Sequence, residues 1–339
     1  MPRAERAATD LAGSLVATAD HVYRISRPIA RGGFSVVFLA RRSDPVGGEG
    51  DRDVAIKVLD VDHLHDRLSQ APPAFLDPDA PLPQQMAEVR ERFINEAHLL
   101  RTLRHPNVVR AFDEGVLPQV FGRAPYYVME YLAGTDVGEI VRLRGRFDAA
   151  PAVAVAAAVL SVLGHLERQG VVHRDVKAAN VFVQPTGRAA PTAASVRLID
   201  FGLATTVSHT AGRNRVRLPH EVRTCPGVLW GTMAWCPPER LAPFLSASQM
   251  QEDESRLDLW GAALLLYLCL TGVQPFEREH FAGDTEQFAA IVEGRLPPPR
   301  DLVPSIPTAL DALLRKALAL RPAERFRSAG ELLEALRET

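Results

Sequence analysis

His173-Arg174-Asp175-Val176-Lys177-Ala178-Ala179-Asn180, with Asp200-Phe201-Gly202 twenty residues further on, is the stretch whose reading decides the fold. It places an acid, a cation and an amide within six residues, directly after the apolar pair Val171-Val172. Phosphoryl transfer needs those parts close together: a carboxylate to accept a hydroxyl proton, a cation to meet the moving phosphate, and an amide oxygen for Mg²⁺. Asp200 follows a β-like Val196-Arg197-Leu198-Ile199 and adds another hard oxygen ligand of the kind Mg²⁺ prefers. Alone, Asp-Phe-Gly reads as a turn; its spacing behind the first motif is what gives it chemical meaning.

Upstream, Val54-Ala55-Ile56-Lys57 sets a lysine at the end of an apolar strand, and Phe93-Ile94-Asn95-Glu96-Ala97 sets a glutamate on the following helix. A Lys57–Glu96 pair orients an ammonium toward α- and β-phosphates. Taken singly, the two residues read as a strand-end lysine and a solvated helix face. Combined with the downstream loops they form one constellation.

These motifs, in this order, resemble the eukaryotic-like (Hanks-type) serine/threonine protein kinase family over residues 22–337. Further landmarks fall in sequence: His105-Pro106-Asn107-Val108-Val109, the hinge-like Val128-Met129-Glu130-Tyr131-Leu132, Gly231-Thr232, Pro237-Pro238-Glu239, Asp258-Leu259-Trp260 and the late Arg325. The resemblance implies an α+β, two-lobed protein kinase fold, with a small β-rich N-lobe and a larger helical C-lobe. It implies ATP and Mg²⁺ as cofactors, with Mn²⁺ as a substitute. It assigns Asp175 as catalytic base, Lys177 to the γ-phosphate, Lys57 and Glu96 as the orienting pair, and Asn180 and Asp200 as metal ligands. Ile29, Ala30, Gly32, Gly33 and Ser35 form the phosphate-covering loop. Val37 and Ala55 sandwich the adenine, Met129 is gatekeeper, the backbone near Glu130 and Leu132 bonds the base edge, and Asp136 reaches the ribose. Glu239 and Arg325 form a buried pair, and Leu100, His173 and Phe201 belong to a packed spine.

The departures are local. Of the glycines expected at 30, 32 and 35 only Gly32 is kept, with Gly33 adding freedom to approach phosphates through φ > 0. Pro237 and Ala263 replace an alanine and a glycine of the family pattern. None of these removes a catalytic group. The activity implied is transfer of the γ-phosphate of ATP to Ser/Thr hydroxyls of protein substrates, including autophosphorylation in trans. Lys177 and Gly231-Thr232 favour Ser/Thr over Tyr, and Ala179 gives no sign of an arginine preference. A pseudokinase scaffold is the alternative, supported by the degenerate glycine loop alone. A small-molecule kinase of related fold is disfavoured by the long activation segment. Arg174 before the base marks a kinase switched by phosphorylation of that segment, with Thr224 chosen over Thr205, Thr206, Ser208 and Thr210, and Arg92 as a second anion partner.

The bulk numbers agree with a soluble two-lobed protein. The 339 residues suggest about two domains. A net charge of -2 disfavours a nucleic-acid partner. The three scattered cysteines, with no CxxC pair, point to a reducing cytoplasm rather than a disulfide or zinc framework. No uninterrupted apolar run is long enough for a membrane span, Leu257–Leu270 coming nearest. Residues 1–18 read as a tail, 19–132 as the N-lobe with an irregular proline-rich insertion over about 62–83, and 133–339 as the C-lobe. Strands are expected at Tyr23–Ile29, Val36–Ala40, Val54–Leu59, Val108-Val109 and Tyr126–Met129. Helices are expected over about 84–103, 151–168, 257–270, 281–292, 309–320 and 329–336.

Overall fold

Alternation of apolar and polar residues builds the first half of the chain. The computed structural model describes residues 11–43, 52–70, 81–117, 123–187, 189–202, 204–206, 233–241 and 255–339. The chain divides into two compact units at Leu132–Ala133, and His105–Val108 groups with the second unit rather than with the N-lobe span expected for it. The physical reason is Asn107. Its Nδ2 donates to the carbonyls of Ala193 and Val196 at 2.5 and 2.9 Å, and its own carbonyl accepts from Leu198 N at 2.7 Å.

In the first unit, β1 (Leu15–Ala17), β2 (Val22–Arg31), β3 (Ser35–Ser43), β4 (Arg52–Leu59), β5 (Ala111–Leu117) and β6 (Ala124–Glu130) form one antiparallel sheet of order β1-β2-β3-β4-β6-β5. Tyr23 and Ile25 of β2, and Val36, Phe38 and Ala40 of β3, point inward at every second position, as the pleat requires. Helix α1 (Val61–Gln70) and helix α2 (Leu82–Thr102) follow β4. Phe93, Glu96, Ala97 and Leu100 of α2 recur at helical spacing and are buried.

Three expectations need correction here. The described part of the tail, residues 11–18, is anchored: Val16 is buried between exposed neighbours, β1 pairs with β2, and Gly13 N donates to Ile25 O at 2.8 Å. The insertion is not irregular throughout, because Leu64 and Leu68 repeat at i, i+4 and bury one face of α1; its proline-rich part, 71–80, lies outside the described residues. Val108 makes only an isolated parallel bridge to Leu198, and the strand of that region is β5, starting at Ala111.

The second unit is mostly helical: α3 (Val137–Arg144), α4 (Ala149–Arg168), α5 (Pro238–Leu241), α6 (Ser255–Thr271), α7 (Asp284–Glu293), α8 (Pro299–Leu302), α9 (Thr308–Ala317) and α10 (Ala329–Arg337). Helix α4 packs against α6 and α10. Its length and composition would suffice to cross a bilayer, a property expected to come nearest in Leu257–Leu270 instead. Val155, Val159 and Val162 are fully buried inside the unit, as in a core helix. Short strands β7 (Thr135–Asp136), β9 (Val181–Val183) and β10 (Val196–Leu198) form one small sheet, and β8 (Val171–Val172) pairs with β11 (Thr205–Thr206). Helix α7 begins three residues later than expected, at Asp284 after Gly283.

Candidate active site

Two clusters carry the chemistry, one in each unit. In the first, register gathers the residues. Ala30 faces Val37, Val37 faces Lys57, and Ala55 faces Met129, so all five share one face of the sheet. The neighbouring strand pairs Lys57 with Tyr127 on that same face. Lys57 Nζ donates to both oxygens of Glu96, at 2.9 and 3.0 Å. The rings of Phe93 and Tyr127 lie 5.9 and 5.7 Å from the ammonium and 5.3 Å from each other. Glu96 is buried, and the Lys57 ammonium compensates its charge there.

The β2–β3 hairpin closes through Gly32 N donating to Ser35 O at 2.8 Å. Neither Gly32 nor Gly33 adopts the positive φ expected of them. A Cβ at Gly33 would meet nothing within 4 Å, so here glycine leaves open surface rather than permitting a special backbone. Ile29 is half-buried, Ala30 exposed, and Glu130 and Leu132 half-buried. Glu130 exchanges hydrogen bonds with Arg110, N to O and Oε1 from N, both at 3.0 Å.

In the second unit, β8 delivers the chain into the loop His173–Lys177, a short 3₁₀ turn covers Ala178–Asn180, and β9 leads away. Asp258 at the start of α6 holds this loop. Its Oδ2 and Oδ1 accept from the amides of His173 and Arg174, each at 2.7 Å. Arg174 takes φ 65, a left-handed conformation costly for a non-glycine residue and held here by Asp258. Burial pushes the Asp258 carboxyl up to about 7, while the two amide donors and Arg174 work against that shift. Burial drives the His173 imidazole down to about 4, and its ring meets Phe201 edge-on at 4.6 Å.

The carboxylate of Asp175 is the centre of the loop. Oδ2 accepts from Lys177 Nζ at 2.8 Å and from Asn180 Nδ2 at 2.9 Å. Oδ1 is buried and has no hydrogen-bond partner among the described residues. Burial raises the pKa of Asp175, Lys177 opposes the rise, and Asp200 adds to it. Asn180 Nδ2 also donates to Asp175 O at 2.8 Å, which leaves Asn180 Oδ1 available as an oxygen ligand. Asn180 O accepts from Ile199 N at 3.0 Å and so ties the loop to the strand end before Asp200. Asp200 Oδ1 accepts from Gly202 N at 3.1 Å. An amide oxygen and a carboxylate beside the Asp175 carboxyl are the hard donor set that a divalent cation takes.

A domain model described as "Protein kinase domain" matches residues 23–335. The chain belongs to the protein kinase domain family. Tyrosine-protein kinase MasK of Myxococcus xanthus is 31% identical over 93% of this kinase domain chain and 42% of its own length. Serine/threonine-protein kinase PknJ of Mycobacterium tuberculosis is 32% identical over 92% of the chain and 44% of its length. Serine/threonine-protein kinase PknB from the same species is 30% identical over 91% and 41%. The kinase domain chain thus spans less than half the length of each of these relatives. Family membership carries with it ATP and a divalent metal ion as general requirements.

Two residues of this kinase domain, Gly261 and Asp60, escaped the sequence reading, and a third has a structural role that it missed. Asp136, read as a ribose contact, caps the unforeseen helix α3 by accepting from Glu139 N at 2.9 Å. Asp136 three residues before Glu139 is a legible cap signal. Gly261 makes the close approach of α6 to the catalytic loop: a Cβ there would lie 2.6 Å from Val176 O. It stands two residues before Ala263, the position where the family pattern has its glycine. Asp60, buried after β4, carried no motif signal at all. Gly231-Thr232 and Thr224 lie outside the described residues, as do Ser208 and Thr210.

Proposed function

We propose that this chain is an active, ATP-dependent serine/threonine protein kinase. The observation that carries the reading is the Asp175 carboxylate. One oxygen is engaged by Lys177 and Asn180, and the other is buried and lacks a donor among the described residues. A substrate hydroxyl offers that donor. Asp175 accepts the hydroxyl proton as the oxygen bonds to the γ-phosphorus, and the bond to ADP breaks. Its raised pKa strengthens it as a base, and Lys177 opposes the rise. Lys177 is assigned to the γ-phosphate, and Lys57, held by Glu96, to the α- and β-phosphates. Asn180 Oδ1 and Asp200 would hold Mg²⁺, or Mn²⁺ in its place, which neutralises charge developing on the phosphate oxygens.

Val37, Ala55, Met129 and the backbone near Glu130 and Leu132 are assigned to the adenine, and Ile29, Ala30, Gly32, Gly33 and Ser35 to the phosphates. Shared placement on one sheet face supports the first part of that assignment. Ser/Thr specificity is supported by Lys177 in the catalytic loop and by the names of the two mycobacterial relatives; the name of MasK favours tyrosine. Proteins are the substrate class, a second copy of the chain among them. The cytoplasm is the proposed compartment, supported by three cysteines scattered through the sequence without a CxxC pair.

The test is single-turnover transfer from radiolabelled ATP, followed by phosphoamino-acid analysis. Asp175→Asn should lose transfer by about 10²–10⁴-fold with an unchanged melting temperature. Wild-type rates in that variant would remove Asp175 from the mechanism. Phosphotyrosine as the main product would overturn the specificity.

A further inference from the structure

The tip of the β2–β3 hairpin is held from outside itself. Asp60 directly follows β4 and directly precedes α1. Its amide donates to Phe34 O at 2.8 Å, extending the β3–β4 pairing one step beyond Ser35–Leu59 into the turn. Its Oδ2 lies 4.0 Å from Nη1 of Arg31, the last residue of β2. Both limbs of the turn, Arg31 on the way in and Phe34 on the way out, therefore meet the same residue. Asp60 also starts α1: Oδ1 accepts from His63 N at 3.0 Å, and its carbonyl accepts from Leu64 N at 2.9 Å.

The helix so started is not free to drift. Leu64 and Leu68 are buried, and α1 packs against α2, which carries Glu96. Asp60 itself is only 2% exposed, and its Oδ2 has no hydrogen-bond partner among the described residues. Keeping a carboxylate there is costly, which burial expresses as a raised pKa opposed by the His63 amide and by Arg31. Neither Gly32 nor Gly33, meanwhile, uses the positive φ that favours glycine. The shape of the tip is thus not dictated by glycine conformation but by what it is tied to.

We propose that Asp60 is a positioning residue for nucleotide binding, fixing the tip Arg31–Ser35 through Phe34 and Arg31 onto the start of α1. It rests on the reading of Gly32, Gly33 and Ser35 as the phosphate-covering turn. A loop fixed in its bound shape loses less freedom on binding, so its anchor adds affinity without touching the ligand. The effect belongs to ATP, not to the protein acceptor.

The experiment measures ATP affinity directly by calorimetry with Mg²⁺, beside KM for ATP, KM for a protein acceptor and kcat. Asp60→Ala should weaken ATP binding about five-fold, the factor equivalent to about 1 kcal/mol, typical of a lost cap. kcat at saturating ATP and the acceptor KM should stay within about two-fold, well inside one 1.4 kcal/mol decade. Asp60→Asn keeps the cap oxygen and loses the charge opposite Arg31. It and Arg31→Gln should each weaken ATP about three-fold, and the double variant no further, since the two act on one contact. These two variants decide the matter if Asp60→Ala does not fold. Unchanged ATP affinity in folded variants, or equal losses in kcat and acceptor KM, would overturn the assignment. Wild-type protein that binds no ATP would overturn the reading of the hairpin and this assignment together, whereas normal wild-type binding with unaffected variants sinks this assignment alone.

Discussion

Removing Glu239 should unfold the helical unit at a much lower temperature. Glu239 sits on α5 and accepts from Arg325 at both oxygens, Nη1 at 2.7 Å and Nη2 at 2.8 Å. The Arg325 side chain is fully buried and that of Glu239 5% exposed. Arg325 Nε donates to Ala319 O at 2.7 Å and Nη2 to Leu320 O at 3.1 Å, with the guanidinium 4.6 Å from the Trp260 ring. In Glu239→Ala the carbonyls and the ring remain, but the only carboxylate on the guanidinium among the described residues is gone. Breaking a buried pair from one side costs about 3–5 kcal/mol, because a desolvated charge stays behind. For a unit of about 200 residues each kcal/mol moves the melting temperature by about 2–4 °C, so a fall of about 6–20 °C is expected. Calorimetric melts of the whole chain would read it. Glu239→Leu with Arg325→Met should recover more than half of the loss, since removing both charges removes the desolvation penalty. A melting temperature within about 2 °C of wild type in Glu239→Ala, below the shift of a single kcal/mol, would refute the reasoning.

Lys57→Met should lower single-turnover transfer by about 10²-fold or more, and Glu96→Ala by less, because only the lysine is assigned to phosphate; equal and negligible effects would point to a scaffold without turnover. Gly261→Ala should cost about 1–3 kcal/mol and lower kcat more than it raises KM for ATP, as its Cβ would press on the Val176 carbonyl beside Asp175; full activity with an unchanged melt would show that the helix yields. His173 gives a pH dependence. Its folded pKa of about 4 lies below the ordinary 6.5, so on acidification through that window the unfolded chain takes up a proton and the folded one does not. Stability held above pH 6.5 is therefore lost towards pH 4, by up to about 3 kcal/mol. Denaturant titrations should show this loss in wild type relative to His173→Phe, in which Asp258 still titrates; parallel curves would mean that His173 ionises normally.

Much of the site was legible because its residues are close in sequence. Asp175, Lys177 and Asn180 lie within six positions, and a short loop leaves few ways to arrange them. Lys57 and Glu96 were legible by strand and helix period, which place one in the last third of β4 and the other on a buried helical face. The misreadings have physical causes. The prolines of 71–80 masked the i, i+4 leucines of α1. Val108-Val109 looked like a strand, yet Asn107 pins that turn to the second unit by side-chain bonds that no local pattern announces. The glycines of the hairpin were credited with positive φ, which neither of them uses.

The sequence by itself determined the family, the order of strands and helices and the identity of the acid, base and metal-ligand candidates, since these depend on local spacing and residue chemistry. Tertiary structure alone decided what holds them. The Asp258 carboxylate on the His173 and Arg174 amides, Gly261 against Val176, Asp60 under the hairpin tip and β1 closing the sheet edge all join residues distant in the chain. Such contacts follow from packing and from the need to partner buried polar groups, and neither is written in a local run of residues.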